Sequence, residues 1–403
     1  MKPLLAIAML VMAATPVQAQ ATPVQAQAPP AQAQAPPVQA QAPPHWDAAT
    51  IVRLRQWADF AGADALPVPD LTALDAALRS ADAAGIDEAA TRAALALAKA
   101  HLLGTAAASD PARWHMDDSD RTIDLGAGLS AALALGEDGL DSFFGGLRPQ
   151  HPDYAALALA LSLETDPGRR QTLARNMERW RWLPRSLGPD FVLVNVAAFE
   201  ARLWKQGQQR GTWRVIVGKT RTPTPVFAAS IAGVILNPWW EIPASIVAEN
   251  HGRFPASKGY VRAGDRWRQK PGPDNALGQV KLDMPNPHSV YLHDTPAKPL
   301  FERDVRAFSH GCVRVGDAMG LAKTLVEDVR SAADIDAIVA SGETVTVPLS
   351  GALPVYITYF TAGVDAQGKV LMHRDIYRRD RVAGNIAGPV SLASANMVSR
   401  CPA

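Results

Sequence analysis

The sequence predicts an α+β protein in which a helical half precedes a β-rich half. Two observations lead to this fold class. Residues 45 to about 170 are rich in Ala and Leu and contain residues that start and end helices. Beyond about residue 185 the chain changes to short β-branched runs separated by turn residues, which is typical of strands.

Composition and charge favour a globular protein and exclude one class of partner. Of the 403 residues, 48% are apolar and 20% are charged, which is ordinary for a folded core. Lys and Arg number 40 against 39 Asp and Glu, so the formal net charge is +1. This balance leaves no electrostatic footprint for nucleic acid, and we exclude that partner.

The N-terminal segment predicts export. Residues 1–19 combine a basic start, an apolar run from Leu4 to Ala14 and a small-x-small ending at Ala19, the layout of a secretory signal peptide. An uncleaved anchor is the alternative. No later stretch reaches about 18 consecutive apolar residues, so we expect no integral membrane protein after cleavage. Residues 20–44 repeat Pro, Ala, Gln and Val, which predicts a disordered, extended tether.

The helical half carries recognisable cap residues. Asp47 is predicted to cap one helix, Asp87 to open another that ends at Leu103-Gly104, and Pro152 to occupy a first helical turn. A further helix is predicted over 169–182. The histidines of this half are isolated, and we interpret them as surface or packing residues: His101, His115 and His151.

The β-rich half contains strand-like runs and one long irregular segment. The predicted strands cover 191–196, 200–204, 213–218, 233–238, 289–293, 344–347 and 354–360. A short helix capped by Asp317 is predicted between the strands at 289–293 and 344–347. Residues 243–280 lose regular periodicity and are basic and rich in Gly and Pro, which predicts either a functional lid or a disordered insert. We interpret the charged residues of this segment as solvent-exposed.

The stretch FSHGCVRV, residues 308–315, contains one of the two cysteines. Cys312 has four candidate roles: a nucleophile, a zinc ligand with His288, His293 and His310, a disulfide partner of Cys401, or a buried apolar filler. The paired short-spaced cysteines of a strong zinc signal are missing. If the segment is extended, His310, Cys312 and Arg314 share one face. Gly311 permits close approach of a substrate carbonyl, and nearby amides are candidate oxyanion donors.

A second element, YLHD at 291–294, precedes Ser309 by a gap of fifteen residues after His293. Histidine titrates near neutral pH, so His293 is a candidate general base for Cys312. The carbonyl or side chain of Asp294 is a candidate group to fix its tautomer. Aromatic residues at 213, 239 and 240 are either core or the lining of a peptide or sugar cleft.

These motifs carry a resemblance to a known family. His293, the fifteen-residue gap and SHGCVR resemble the signature of the L,D-transpeptidase, YkuD-type, catalytic domain. The flanking motifs are similar to its larger YcbB-type branch: VGK at 217–219, TPTP at 222–225, NPWW at 237–240, MPN at 284–286, RWRWLP at 179–184 and PVY at 354–356. The resemblance covers about residues 176 to 380.

The resemblance implies a mixed β-sandwich catalytic domain at 176–380 with 243–280 as its lid, after a helical scaffold at 45–175 and before a tail at 381–403. It implies that Cys312 is the nucleophile and His293 its proton acceptor and donor. Ser309, His310, Gly311 and Arg314 support the site, and we assign substrate contacts to three residues: Tyr291, Asp294 and Trp240. No metal or cofactor is implied.

The resemblance also implies a function. We expect a periplasmic enzyme that joins peptidoglycan stem peptides by 3→3 cross-links, and covalent inhibition by carbapenems. An L,D-carboxypeptidase, or an enzyme that attaches or releases a wall-linked protein, would use the same Cys312 chemistry. A non-catalytic wall-binding protein is the distant alternative. The residues alone leave these open, because the acceptor site is not readable from the sequence.

Overall fold

The computed structural model describes residues 44–107, 110, 113–116, 119–365 and 367–380. The predicted signal peptide, nearly all of the tether, the tail and Cys401 lie outside these residues. In the part of the chain that is described, no helix combines the length and the apolar composition needed to cross a bilayer. The predicted order of a helical region followed by a β-rich domain is confirmed.

Helices make up the first half of the fold. Their bounds are α1 Ala48–Phe60, α2 Thr72–Ser80, α3 Ala83–Leu103, α4 Leu125–Leu133, α5 Gly136–Gly146, α6 Pro152–Leu163 and α7 Pro167–Trp180. Asp47 caps α1 as predicted, because its carboxylate accepts the Thr50 N–H while the Thr50 hydroxyl caps in return. Pro152 occupies the first turn of α6, and Gly104 ends α3.

The predicted start of the second helix at Asp87 is wrong. The cap of α3 is Asp82, whose side chain accepts the Gly85 N–H, so the helix begins earlier than the sequence indicated. Asp87 instead lies within α3, and its carboxylate accepts the backbone N–H of Trp46 at 2.8 Å. Two Asp residues five positions apart both satisfied the capping pattern, and only the tertiary contact to Trp46 separates their roles.

A buried polar network joins α7 to the earlier helices. Glu178 is 1% exposed and accepts the backbone N–H groups of Thr105 and Ala106. Arg181, just beyond α7, donates to the Asp64 carbonyl at 2.5 Å and to the Tyr154 hydroxyl at 2.6 Å. Removing one partner of such a buried charge costs about 3–5 kcal/mol. The RWRW motif therefore has a structural role at the end of the helical half.

Two of the three histidines singled out in the helical half are packing residues, whereas His115 is exposed. His101 is fully buried with its Nδ1 3.3 Å from Asp64 Oδ2, and His151 is buried and stacks on Trp180 with ring centroids 4.6 Å apart. His115 lies next to His288, with ring centroids 5.0 Å apart.

A mixed nine-stranded sheet forms the second half. Its strands are β1 Phe191–Asn195, β2 Glu200–Lys205, β3 Gln208–Gly218, β4 Phe227–Leu236, β8 Val280–Asp283, β9 Leu292–His293, β10 Ala307–Ser309, β11 Val313–Val315 and β12 Val345–Thr358. They are ordered β10-β3-β11-β9-β8-β4-β12-β1-β2, and β2 also pairs with β3. This second pairing closes the sheet on itself around an apolar core, and a β13–β14 hairpin, Ala362–Val364 with Val370–Met372, follows it.

The two strands predicted at 344–347 and 354–360 are one strand. β12 pairs antiparallel with β4 on both sides of an irregularity between Pro348 and Leu353. A Pro and a Gly in this region resemble a turn in the sequence, but the chain bulges and the pairing resumes.

The segment at 243–280 is ordered. It contains α8 Ala244–Glu249 and the strands β6 Tyr260–Ala263 and β7 Arg266–Gln269, and β7 pairs with both β6 and β5 Trp240–Glu241. These strands are too short to show a period in the sequence. Its exposed cations include Arg253, Lys258, Arg262, Arg266 and Lys270, whereas Arg268 stacks on Trp239 at 4.6 Å.

Two helices, α9 Ala318–Leu325 and α10 Ala332–Ser341, complete the β-rich half. Asp317 caps α9 as predicted, through the Gly320 N–H. Asn237 of the NPWW motif donates from Nδ2 to the carbonyls of Ile338 and Val339 at the end of α10. This motif therefore ties a helix end to the sheet.

Candidate active site

Cys312 and His293 lie on adjacent parallel strands. In the β9–β11 register Leu292 faces Val313 and His293 faces Arg314, and the Val313 N–H donates to the Tyr291 carbonyl at 3.1 Å. Alternation along each strand then puts Tyr291, His293, Cys312 and Arg314 on one face. The fold thus joins the two motifs that the sequence separates by fifteen residues.

His293 is held in one tautomer. Its Nδ1 lies 2.5 Å from the Asp294 backbone oxygen, and because a carbonyl only accepts, Nδ1 carries the proton. The other ring nitrogen, Nε2, is left as an acceptor. Burial, followed by the charge of Arg314, lowers the pKa of His293 to about 3. The imidazole is therefore neutral at pH 7 and competent to accept a proton.

The Cys312 thiol is half-buried, and burial raises its pKa above the usual value of 9.0. The Tyr291 backbone and hydroxyl, followed by the charges of Lys281 and Arg314, act in the opposite direction by stabilising the thiolate. The resting group is thus a thiol, and a thiol in this environment would need a base to act as a nucleophile. Burial, followed by the Cys312 thiolate, raises the pKa of Tyr291, whereas Trp240 lowers it.

Ser309 shapes the turn that presents Cys312. It is 2% exposed, its hydroxyl donates to the Cys312 carbonyl at 2.6 Å, and it accepts the Gly311 N–H at 3.1 Å. Gly311 has φ +121°, which favours glycine, and a side chain there would point into open space. The Gly311 amide is occupied by Ser309, so the Cys312 amide is the better placed of the two as an oxyanion donor.

A network that the sequence did not predict supports this turn from behind. Thr224 Oγ1 donates to the Gly311 carbonyl at 2.8 Å and accepts the Gly218 N–H at 2.9 Å. The Tyr377 hydroxyl donates to the Gly218 carbonyl at 2.6 Å and accepts the Thr224 N–H at 3.2 Å. The only sequence signal was the TPTP motif around Thr224; nothing marked Tyr377.

His310 faces the lid. Its Nε2 lies 2.8 Å from Glu249 Oε2 at the end of α8, and Glu249 is also 4.0 Å from Arg221. The side chain of His310 is 37% exposed. The structure therefore places His310 at the contact between the turn that carries Cys312 and the segment at 243–280.

The remaining predicted residues are distributed as follows. The Asp294 carboxylate accepts the Gln279 N–H and forms an ion pair with Lys298, at 2.9 and 2.5 Å, so its side chain is already occupied. Trp239 and Trp240 lie at the lid, whereas Trp213 lies on β3 beside β2. Among the described residues, no group of three or more His, Cys, Asp or Glu side chains is arranged to hold a metal ion.

Lys281 is a residue of this face that the sequence reasoning missed. It pairs with His293 across β8 and β9, and its Nζ lies 4.3 Å from the centroid of the Tyr291 ring. A single lysine in a strand of alternating burial has no distinguishing sequence signal, so only the strand register reveals its position.

Comparison with protein families gives two matches. Residues 189–347 match the YkuD family, described as an L,D-transpeptidase catalytic domain. Residues 45–161 match a family described as a Scaffold domain. Together the two matches cover most of the helical half and most of the closed sheet.

One curated relative is similar to the chain over part of its length. A Haemophilus influenzae protein provisionally named an L,D-transpeptidase is 31% identical over 243 residues, which cover 52% of this chain and 48% of that protein. The chain thus spans about half the length of this relative.

Solved structures resemble the chain weakly. The catalytic domain of an E. faecium L,D-transpeptidase acylated by ertapenem has 12% identity and a TM-score of 0.26, covering 43% of this chain and 99% of that one. L,D-transpeptidase 3 from Mycobacterium tuberculosis has 14% identity and a TM-score of 0.25, covering 42% and 61%. At these values the likeness carries no argument about the chemistry of this chain.

Proposed function

We propose that the chain forms 3→3 cross-links between peptidoglycan stem peptides, because residues 189–347 match the L,D-transpeptidase catalytic domain of the YkuD family and residues 45–161 match a scaffold domain. The observation that carries the proposal is the placement of the Cys312 thiol and the neutral imidazole of His293 on one face of adjacent strands. We propose a periplasmic site of action from the signal-like N-terminus.

In the first half-reaction, Cys312 Sγ attacks the carbonyl of the third residue of a tetrapeptide stem while its proton passes to His293 Nε2. The Cys312 amide donates to the developing oxyanion. The carbon–nitrogen bond then breaks, His293 returns the proton to the leaving amine, and a terminal D-residue departs. Cys312 is left as a thioester.

In the second half-reaction, the side-chain amine of a diamino acid on another stem attacks the thioester. His293 accepts the amine proton and returns it to Cys312 Sγ as the carbon–sulfur bond breaks. The lid at 243–280 excludes water, so that the amine outcompetes hydrolysis. His310 connects the turn to the lid through Glu249.

Incubation with a purified tetrapeptide muropeptide tests this function. A cross-linked dimer is expected, a trimmed tripeptide would indicate an L,D-carboxypeptidase, and unchanged but bound substrate would indicate a wall-binding protein. Transfer to a wall-linked protein would appear as a protein–peptide conjugate when that acceptor is added.

Cys312→Ala is expected to abolish dimer formation, because no other described residue supplies a thiol. Carbapenems acylate nucleophiles of this kind, so we expect a carbapenem adduct on the wild-type chain in intact-mass spectra and none on the variant. The matched control is Cys401→Ala, which should keep both properties. Full cross-linking by Cys312→Ala would contradict the proposal.

A further inference from the structure

Two cations beside Cys312 have no acidic partner among the described residues. Lys281, His293 and Arg314 occupy neighbouring positions on β8, β9 and β11. The Arg314 side chain forms no ion pair, and its Nε is buried without a hydrogen bond. The Lys281 ammonium contacts the face of Tyr291 and has no carboxylate within ion-pair distance in the described part of the chain.

Several enclosed arginines of this protein have acidic partners, including Arg148 with Asp64, Arg179 with Asp380 and Arg202 with Asp153. Arg175 is also buried with its Nε unpaired, but it lies on α7 and not beside Cys312. Partly buried cations without a counter-charge are costly. Lys281 and Arg314 lie on either side of His293, and their like charges repel each other, which favours an anion near both of them.

Nearby carboxylates do not supply that anion. Asp294 is occupied by Gln279 and Lys298, and Glu249 contacts His310 and Arg221. Asp283 follows Lys281 by two residues on the same strand but forms no ion pair with it in this structure. The counter-charge must therefore come from a ligand.

We propose that Lys281 and Arg314 form a carboxylate subsite that holds the donor peptide against Cys312. The inference rests on the proposed function, which supplies the ligand. In a tetrapeptide stem only the amide nitrogen and one α-carbon separate the C-terminal carboxylate from the carbonyl under attack. A carboxylate held between the two cations therefore positions that carbonyl over the thiol.

The subsite gives the enzyme a criterion for its donor. A peptide with a free carboxylate neutralises both cations, whereas a peptide that continues or ends in an amide leaves them unpaired and desolvated. Specificity of this kind comes mainly from the cost of the unpaired charges. Lys281 is thus a positioning residue for the donor, in addition to its contact with the Tyr291 ring.

The test compares three donor peptides: a tetrapeptide with a free C-terminal carboxylate, its C-terminal carboxamide, and a tetrapeptide in which only the remaining carboxylates are amides. The rate of acylation of Cys312 is followed by intact mass. For the wild type we expect acylation at least about tenfold faster with the free C-terminal carboxylate than with its carboxamide. The third peptide, which keeps the C-terminal carboxylate, should react like the first.

Lys281→Met should reduce this preference to near unity, and Lys281→Arg should retain most of it. The matched control is Lys323→Met, which removes a cation that pairs with Asp336 on the far helices. The proposal is wrong if the wild type reacts equally with all three peptides, or if Lys281→Met slows all of them by the same factor.

A binding measurement separates this inference from the proposed function. With Cys312→Ala, which cannot react, the free carboxylate peptide should still bind more tightly than its amide, and the added Lys281→Met change should remove the difference. If the wild type is not acylated but the binding preference is present, the reaction is wrong and the subsite stands. Equal binding of acid and amide overturns the subsite.

Discussion

At the scale of single residues, the proposed reaction depends on a thiol that stays protonated until His293 accepts its proton. Burial raises the pKa of Cys312 and lowers that of His293 to about 3, so the resting pair is neutral. A neutral pair avoids a buried charge before substrate arrives. The same burial makes the pair dependent on polar neighbours when charge develops.

Tyr291→Phe is predicted to raise the pKa of the Cys312 thiol further. The hydroxyl of Tyr291 stabilises the thiolate, and its removal leaves the backbone contact and the charges of Lys281 and Arg314. Iodoacetamide alkylation measured against pH on the peptide that contains Cys312 should show a midpoint shifted to higher pH. Tyr260→Phe, in the lid strand β6, is the control and should leave the midpoint in place. An unshifted midpoint in Tyr291→Phe would show that the hydroxyl does not act on the thiol.

At the scale of elements, the turn at 309–312 that carries Cys312 is supported by segments far away in the chain. Thr224 lies in the loop between β3 and β4, and Tyr377 lies beyond the β13–β14 hairpin. Glu249 of α8 contacts the turn from the lid side. Thr224 and Tyr377 therefore hold the turn on one side, and Glu249 contacts it on the other.

Tyr377→Phe is predicted to weaken both stability and acylation. The change leaves the Gly218 carbonyl and the Thr224 N–H without their partner, which costs about 1–3 kcal/mol. Because Thr224 holds the Gly311 carbonyl, the rate of carbapenem acylation should fall as well.

The control is Tyr356→Phe, which deletes a hydroxyl without a hydrogen bond in the described residues. Unfolding by urea and the acylation rate are measured for both variants. Equal behaviour of the two would show that the Tyr377 network does not support the turn.

At the scale of the whole molecule, buried histidines make stability dependent on pH. Burial lowers the pKa values of His101, His151 and His293, the last two to about 3. An unfolded histidine takes up a proton near its usual 6.5, so the unfolded state binds more protons below that pH. Asp153, whose pKa burial raises to about 6, acts in the opposite direction.

The free energy of unfolding is therefore predicted to fall as pH decreases from about 6.5 towards 3, by up to about 1.4 kcal/mol per pH unit for each such histidine. Urea unfolding at pH 7, 5.5 and 4.5 measures this slope. His151→Asn keeps an acceptor for the Asp153 N–H and removes the titration. This variant should be less stable at pH 7 but have a shallower slope; an unchanged slope would contradict the assignment.

The sequence by itself determined the division into helical and β-rich halves, the Asp47 and Asp317 caps, and the two motifs that carry Cys312 and His293. These features are local, because periodicity, caps and turn residues act within a few positions. The predicted start of α3 and the predicted division of β12 into two strands were wrong. In both places the local sequence fitted two structures equally well.

Only the tertiary structure decided which distant groups meet at Cys312. Lys281 reaches the site through strand register, Tyr377 through a hydrogen bond across 159 positions, and Glu249 through the fold of the lid. Such contacts depend on closure of the sheet by β2 and β3 and leave no periodic signal in the chain. The local motif therefore supplies the thiol, and tertiary packing determines the groups that surround it.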